Sequence, residues 1–452
     1  MHSFLDIVKK RKSIRSFSQK SVDSETIVNI LTLATYAPTN CNQQLWNFII
    51  VDNEEIKERL IKEAATNTSI RRVPVVIVVT YDGWNYKEAI QGASLAVGHI
   101  LLAAGYYGVS TLPMNSYGND TKVRRILSIP DSEIICCFVS MGYPDERAEG
   151  APIVPRRPIG EVLHRNTFKN KKKIIFSYNP NDWTLDDLRD HQKYYCRKTF
   201  LGKEMDIMSE FERKLVRAQL NDIQGPFVDI LSYDGAYLKE LPDIPLITVD
   251  LSRETSDYTK AAITAFTPQR VASVRYEIYD KDKISLIDEA IQTATLIYKV
   301  ERLSDTLRER IFTQTHASLS KEGVFVIITR KSNIFLSLFY FMIAMILGKD
   351  LRKTGIYNFF GPYKPVKMNK LIKQLRNAGF TEIKWSGYFL IPTFYEQIYQ
   401  MFLQYVKSGG SSYLHREKRI DWISMFLARI VKLQGMRRVG SFGSVAIIIC
   451  KK

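Results

Sequence analysis

The chain is short of paired cysteine, of long apolar runs and of acidic charge, and each shortage excludes something. Its five cysteines (Cys41, Cys136, Cys137, Cys196 and Cys450) are odd in number and scattered over 452 residues. No CxxC pair occurs, so neither a disulfide framework nor a thiolate metal site is indicated. No metal is expected, and a reducing, cytoplasmic setting is. No apolar run reaches the roughly 20 residues that cross a bilayer. The longest, Ile334–Leu347, reads as a core or dimer helix, with a substrate lid or a membrane-surface helix as alternatives. The opening MHSFLDIVKK lacks the apolar core of a signal peptide.

Acidic residues number 47 against 64 basic ones, a net charge of +17. That imbalance suits anionic partners: phosphates, nucleotides or acidic lipid, with peripheral membrane contact among the options. A solvated basic surface explains it equally well. The basic runs Lys169–Lys173 and His415–Arg419 carry no nucleic-acid module signature, so nucleic acid is not expected.

The length favours two domains. In the first, Phe4, Ile7 and Val8 repeat at helical spacing and lead into the basic run Lys9–Arg15. Asp23 or Ser24 caps a second helix through Ile27, Ile30, Leu31 and Ala34, which Pro38 stops. Phe48–Val51, Val73–Thr80 and Ile134–Met141 read as strands, and Ala89–Tyr107 as a long helix whose Ala, Gly and Leu suit close packing against another helix, a buried dimer helix being compatible. Arg11 offers a fork for phosphate, Lys12 a point charge and Ser13 a hydroxyl. Thr39, Asn40 and Asn42 follow Pro38 in an irregular polar segment that ends in Trp46. Arg156 and Arg157 add cations late in the domain. Cys41 reads as a small buried side chain and His99 as a packed core residue.

These segments, in this order, resemble the nitroreductase family over residues 1–168. The resemblance implies an α+β fold, an FMN cofactor, NAD(P)H as reductant and a homodimer with FMN at its interface. It assigns Arg11, Lys12 and Ser13, the turn residues Pro38, Thr39, Asn40 and Asn42, and Arg156 or Arg157 to FMN. Pro113, Met114 and Asn115, in the segment Thr111–Asn115, would line the flavin's reactive face. Leu45 stands where the family usually has proline. No catalytic side chain is required, because flavin carries the hydride chemistry.

After a polar stretch at Asn166–Lys173 the texture changes. Strands are expected at Phe227–Leu231, Leu246–Leu251, Val324–Thr329 and Ser444–Cys450, and helices after Ser232, over Ser285–Lys299 and over Leu371–Ala378. Such alternation implies a doubly wound (Rossmann-like) α/β sheet. Residues 175–452 resemble a class I S-adenosylmethionine-dependent methyltransferase. Asp229 and Gly235 match its first strand and glycine-rich turn, and Asp250 its ribose-binding acid. Ser318–Gly323 resembles its turn before a late strand. Leu231 and Tyr233 occupy two positions where the family has glycine, so cofactor binding is doubtful while the fold is retained.

The expectation is an FMN-dependent NAD(P)H oxidoreductase acting on a small molecule, with a second domain for recognition or assembly. A bifunctional redox enzyme and methyltransferase is one alternative. A non-enzymatic flavin-binding scaffold is the other.

Overall fold

The computed structural model describes residues 3–64, 70, 73–115, 117–149, 153–168, 177–199, 210–221, 223, 225, 227–233, 235, 237–241, 243–353, 363–393, 398–399, 402–403, 406 and 422–452. They form two compact units, Met1–Ile153 and Val154–Lys452. Residues 154–168, grouped with the first domain on sequence, fall in the second unit. Most of the Asn166–Lys173 stretch lies outside the described residues.

The first unit comprises α1 (Phe4–Lys10), α2 (Ser24–Ala34), β1 (Trp46–Val51), α3 (Glu54–Arg59), β2 (Val75–Asp82), α4 (Tyr86–Tyr106), β3 (Ser110–Met114), α5 (Asp120–Leu127), β4 (Glu133–Gly142) and the short α6 (Glu146–Glu149). Its sheet runs β1-β2-β4-β3 and is antiparallel throughout. The apolar run of β2 is continuous because both faces are covered. Val75, Ile77 and Val79 join a cluster with α2 and α4, while Val76 and Val78 join one with α5. Asp23 and Asn85 cap α2 and α4 through their side chains, satisfying orphan N–H groups.

The small residues of α4 give the close packing against another helix that they suit. Gly92, Ala93, Ala96, Ala103 and Ala104 are buried inside the unit, against α2 and the sheet. A Cβ on Gly92 would sit 2.6 Å from the Tyr81 ring. The small face therefore lets the helix close onto its own sheet, and the outward face carries Ile90, Leu95 and Tyr106.

The second unit comprises α7 (Leu185–Thr199), α8 (Glu210–Leu220), β5 (Phe227–Ile230), β6 (Leu246–Asp250), α9 (Arg253–Phe266), β7 (Val274–Ile278), β8 (Ile291–Ile297), α10 (Asp305–Ser318), β9 (Leu319–Arg330), α11 (Ile334–Leu347), α12 (Met368–Asn377), β10 (Glu382–Tyr388), α13 (Trp422–Gln434) and β11 (Val445–Lys451). Its seven strands run β10-β11-β9-β8-β5-β6-β7. Strands β5 to β9 pair in parallel, and β11 lies antiparallel to β9 and β10. Chain order reverses at β5, whose neighbours are β6 and β8. Apolar clusters cover both faces, as a parallel sheet requires.

Three expectations are corrected here. Ser285–Lys299 is not a helix; Ile291–Ile297 is the buried strand β8, whose β-branched run I-Q-T-A-T-L-I fits a central sheet position. Ser318–Gly323 is largely the first part of β9 rather than a turn. Within Ser232–Leu238 no α-helix forms among the described residues, and only a short 3-10 turn follows at Leu238–Glu240.

Candidate active site

The basic run leaves α1 and is stitched to the sheet edge. Ser13 bridges Thr111 of β3, and the Ile14 N–H donates to the Thr111 carbonyl at 3.0 Å. Ile14 and Phe17 are buried and fix the segment. Arg11 and Lys12 thereby line a cleft of about 200 Å³ with Lys10, Ser110, Thr111 and Gly108. Gly108 has φ +71 and open space where a Cβ would be, so backbone can approach a ligand there. Three cations and two hydroxyls line this cleft beside one carboxylate, Asp6, so the lining is basic on balance and suits an anionic group.

The segment after Pro38 is a tight turn. Asn40–Asn42 form a 3-10 turn, and Cys41, Asn42 and Gln44 all have positive φ, at 49°, 54° and 56°. Such conformations cost non-glycine residues free energy and persist where surroundings hold them. The Gln44 N–H donates to Thr39 Oγ1 at 3.0 Å. The Asn40 N–H donates to Glu88 Oε1 of α4 at 3.0 Å, and the buried Tyr81 hydroxyl donates to the same atom at 3.1 Å. Burial first, then Glu88, pushes the Tyr81 hydroxyl up to about 12. Glu88 is thus the anchor of the turn. Sequence reasoning missed it because its partner lies 48 residues away.

Pro38, Asn40 and Asn42 are exposed and Thr39 half-buried, so the turn presents its polar groups outward. Cys41 is also exposed, which corrects its reading as a buried residue. His99 is not sealed in the core; its ring faces the Leu33 carbonyl at 3.4 Å.

The two halves of the motif lie at opposite ends of α4. Glu88 holds the turn, whereas Leu101 and Gly105 line the basic cleft. Seventeen residues separate Glu88 from Gly105, about 25 Å at 1.5 Å per residue. Of the residues expected to face the flavin, Met114 packs in the core, Pro113 is half-buried and Asn115, just past β3, is exposed. Arg156 and Arg157 belong to the second unit. Arg156 donates to the Val154 carbonyl at 3.0 Å, and Arg157 donates to the Glu161 carbonyl at 3.2 Å.

In the second unit, the turn after β5 keeps an unusual backbone. Leu231 and Tyr233 both have φ of 61°, and Gly235 has 70°. A Cβ on Gly235 would meet Ala262 Cβ at 2.5 Å. Both larger side chains are buried, and Lys299 Nζ lies 4.0 Å from the Tyr233 ring centroid. Asp250 accepts from the Tyr233 N–H and from Thr259 Oγ1, each at 2.8 Å. Burial pushes its carboxyl up to about 7, against those two hydrogen bonds. Asp229 accepts from Ser232 Oγ at 2.6 Å and Thr295 Oγ1 at 2.8 Å, and burial raises it as well. Both acids are committed to the protein, and side chains fill the space that glycines would leave open. S-adenosylmethionine does not fit this turn.

The first unit is therefore an α+β domain with a basic cleft at the edge of its sheet. The Nitroreductase family profile matches residues 8–70 and 61–143. A Methanothermobacter thermautotrophicus protein, provisionally named NADH dehydrogenase/NAD(P)H nitroreductase, is 32% identical over 31% of this chain and 78% of its own length. A Staphylococcus haemolyticus NADPH-dependent oxidoreductase is 26% identical over 45% of this chain and 87% of its own. A solved FMN-dependent nitroreductase from Clostridium difficile is 26% identical, covering 36% of this chain and 99% of that one, with a TM-score of 0.32. The chain belongs to the nitroreductase family through its first unit, and that membership makes it an oxidoreductase.

Proposed function

We propose that the protein is an FMN-dependent oxidoreductase that draws hydride from NAD(P)H and reduces a small molecule. FMN supplies the redox chemistry when bound. Arg11 and Lys12 hold its phosphate in the cleft beside Ser110 and Thr111. Thr39, Asn40 and Asn42 offer polar groups to the flavin from the Glu88-anchored turn.

The separation of these groups along α4 carries the second part of the reading: the site is shared between two copies of the chain. The turn of one copy completes the cleft of the other. Exposed apolar residues on α1, α2 and α4, among them Phe4, Leu5, Val28, Leu33 and Leu95, supply an interface.

The second unit serves recognition or assembly. Its parallel strands follow the order 3-2-1-4-5 of doubly wound sheets, which supports a methyltransferase-like reading. The filled turn at Leu231–Gly235 argues against methyl transfer.

Purified protein should carry flavin absorbance that NADH or NADPH bleaches; protein that stays colourless with added FMN refutes the proposal. Arg11→Ala and Asn42→Ala should each lose flavin. In a shared site, co-expressing the two variants regenerates an intact site in each mixed dimer, about a quarter of all sites. No recovery in the mixture refutes the shared site and leaves flavin binding itself intact.

A further inference from the structure

In the second unit, α11 carries no charged residue over Ile334–Leu347. Leu336, Tyr340 and Ile343 pack inward with Leu351 and Tyr363. The opposite face is bare: Ile334, Leu338, Phe341, Met342, Met345 and Ile346 are between 46% and 74% exposed. An apolar face this continuous is unusual on a soluble surface and marks an interaction site.

The face extends beyond the helix. Asn333 Nδ2 donates to the Leu390 carbonyl at 2.7 Å and the Phe442 carbonyl at 3.2 Å. Gln434, at the end of α13, exchanges hydrogen bonds with the backbone of Ile391 at 2.7 and 2.9 Å. The start of α11 and the end of α13 therefore meet at Leu390–Ile391. Exposed Phe442, Leu433 and Met436 continue the apolar surface there.

Charge decides what covers it. Residues 331–353 and 422–442 hold eight Lys and Arg and one acid, Asp350. Asp350 is bound by Arg352 at 2.8 Å. Among the described residues, Arg429, Lys432, Arg437 and Arg438 make no side-chain hydrogen bond or ion pair. A second copy would bring the same uncompensated cations to the contact. An acidic bilayer surface supplies both the apolar layer and the counter-charge. At 14 residues α11 is about 21 Å long, too short to cross the roughly 30 Å apolar layer, so it lies along it.

We propose that α11 and the end of α13 form a docking surface for anionic membrane, holding the second unit on a lipid headgroup layer. Flotation of the full-length, FMN-treated chain with vesicles tests this. The chain should float with phosphatidylcholine vesicles containing about 30% phosphatidylglycerol and stay behind with pure phosphatidylcholine, and added salt should release it. The outward-facing variant Leu338→Ser/Phe341→Ser/Met345→Ser should cut the bound fraction at least about tenfold while flavin absorbance is unchanged. Lys432→Gln/Arg437→Gln/Arg438→Gln should weaken binding and flatten its salt dependence. Three results overturn the proposal: no flotation with acidic vesicles, binding unaffected by either triple variant, or an α11-dependent dimer in light scattering without vesicle binding. Flavin content is read on the same samples, so a failure of the flavin reading is seen separately.

Discussion

Leu231 and Tyr233 permit a test in which the usual order of alanine and glycine reverses. Replacing either residue removes a buried side chain, at a cost of about 2–5 kcal/mol for leucine and 3–5 for an aromatic residue. That loss is nearly the same whether alanine or glycine replaces it. The two variants differ in the backbone. Both positions have φ of 61°, a left-handed conformation that costs a residue with a Cβ about 1–2 kcal/mol. Glycine avoids that cost but gives the unfolded chain extra freedom worth about 0.4–1 kcal/mol. Leu231→Gly should therefore be more stable than Leu231→Ala by about 0.5–1 kcal/mol, and Tyr233→Gly likewise over Tyr233→Ala.

Leu296 is the control. It is fully buried in β8 with strand backbone, so there alanine should be the more stable replacement by up to about 1 kcal/mol. Denaturant midpoints at constant slope measure each difference. Alanine matching or exceeding glycine at both 231 and 233 would refute the strained-turn reading. It would mean that the turn relaxes once the side chains are gone.

Glu88→Ala should loosen the Asn40–Asn42 turn and leave the buried Tyr81 hydroxyl without its acceptor, costing about 1–3 kcal/mol. Flavin occupancy should fall too, although Glu88 is a positioning residue; unchanged occupancy with lowered stability would restrict it to a structural role. Asp250, pushed up to about 7 by burial, holds its proton more tightly in the folded chain than in the unfolded one. Its contribution is then fully present below about pH 4 and is lost as pH rises through about 7, on the order of 4 kcal/mol in full. Asp250→Asn should flatten that fall in denaturant midpoint between about pH 5 and 7.5, and an unaltered pH slope would refute the assignment.

Periodicity made the first unit legible. The β2 run, the α4 repeat and the Pro38 stop each reflect a local rule, and each element formed within a few residues of its expected place. Residues 285–299 were not legible, because a short apolar run buried on both faces carries no period that separates strand from helix. Contacts distant in sequence were hidden as well. Nothing near Asn40 points to Glu88, and nothing near Arg11 tells that the Asn42 turn sits at the far end of α4. The turn after β5 is the most instructive case. Without its two earlier glycines it reads as a lost site, and the side chains do fill it, but the left-handed backbone is retained. Contacts from outside the turn hold that backbone. The Leu231 N–H donates to Val249, and the Tyr233 N–H donates to Asp250. Strain of this kind persists only where surroundings over-determine it. Asp250, which resemblance assigned to a ribose, is thus the clamp that keeps the turn in shape, and burial of its carboxyl is what makes its ionisation costly to the fold.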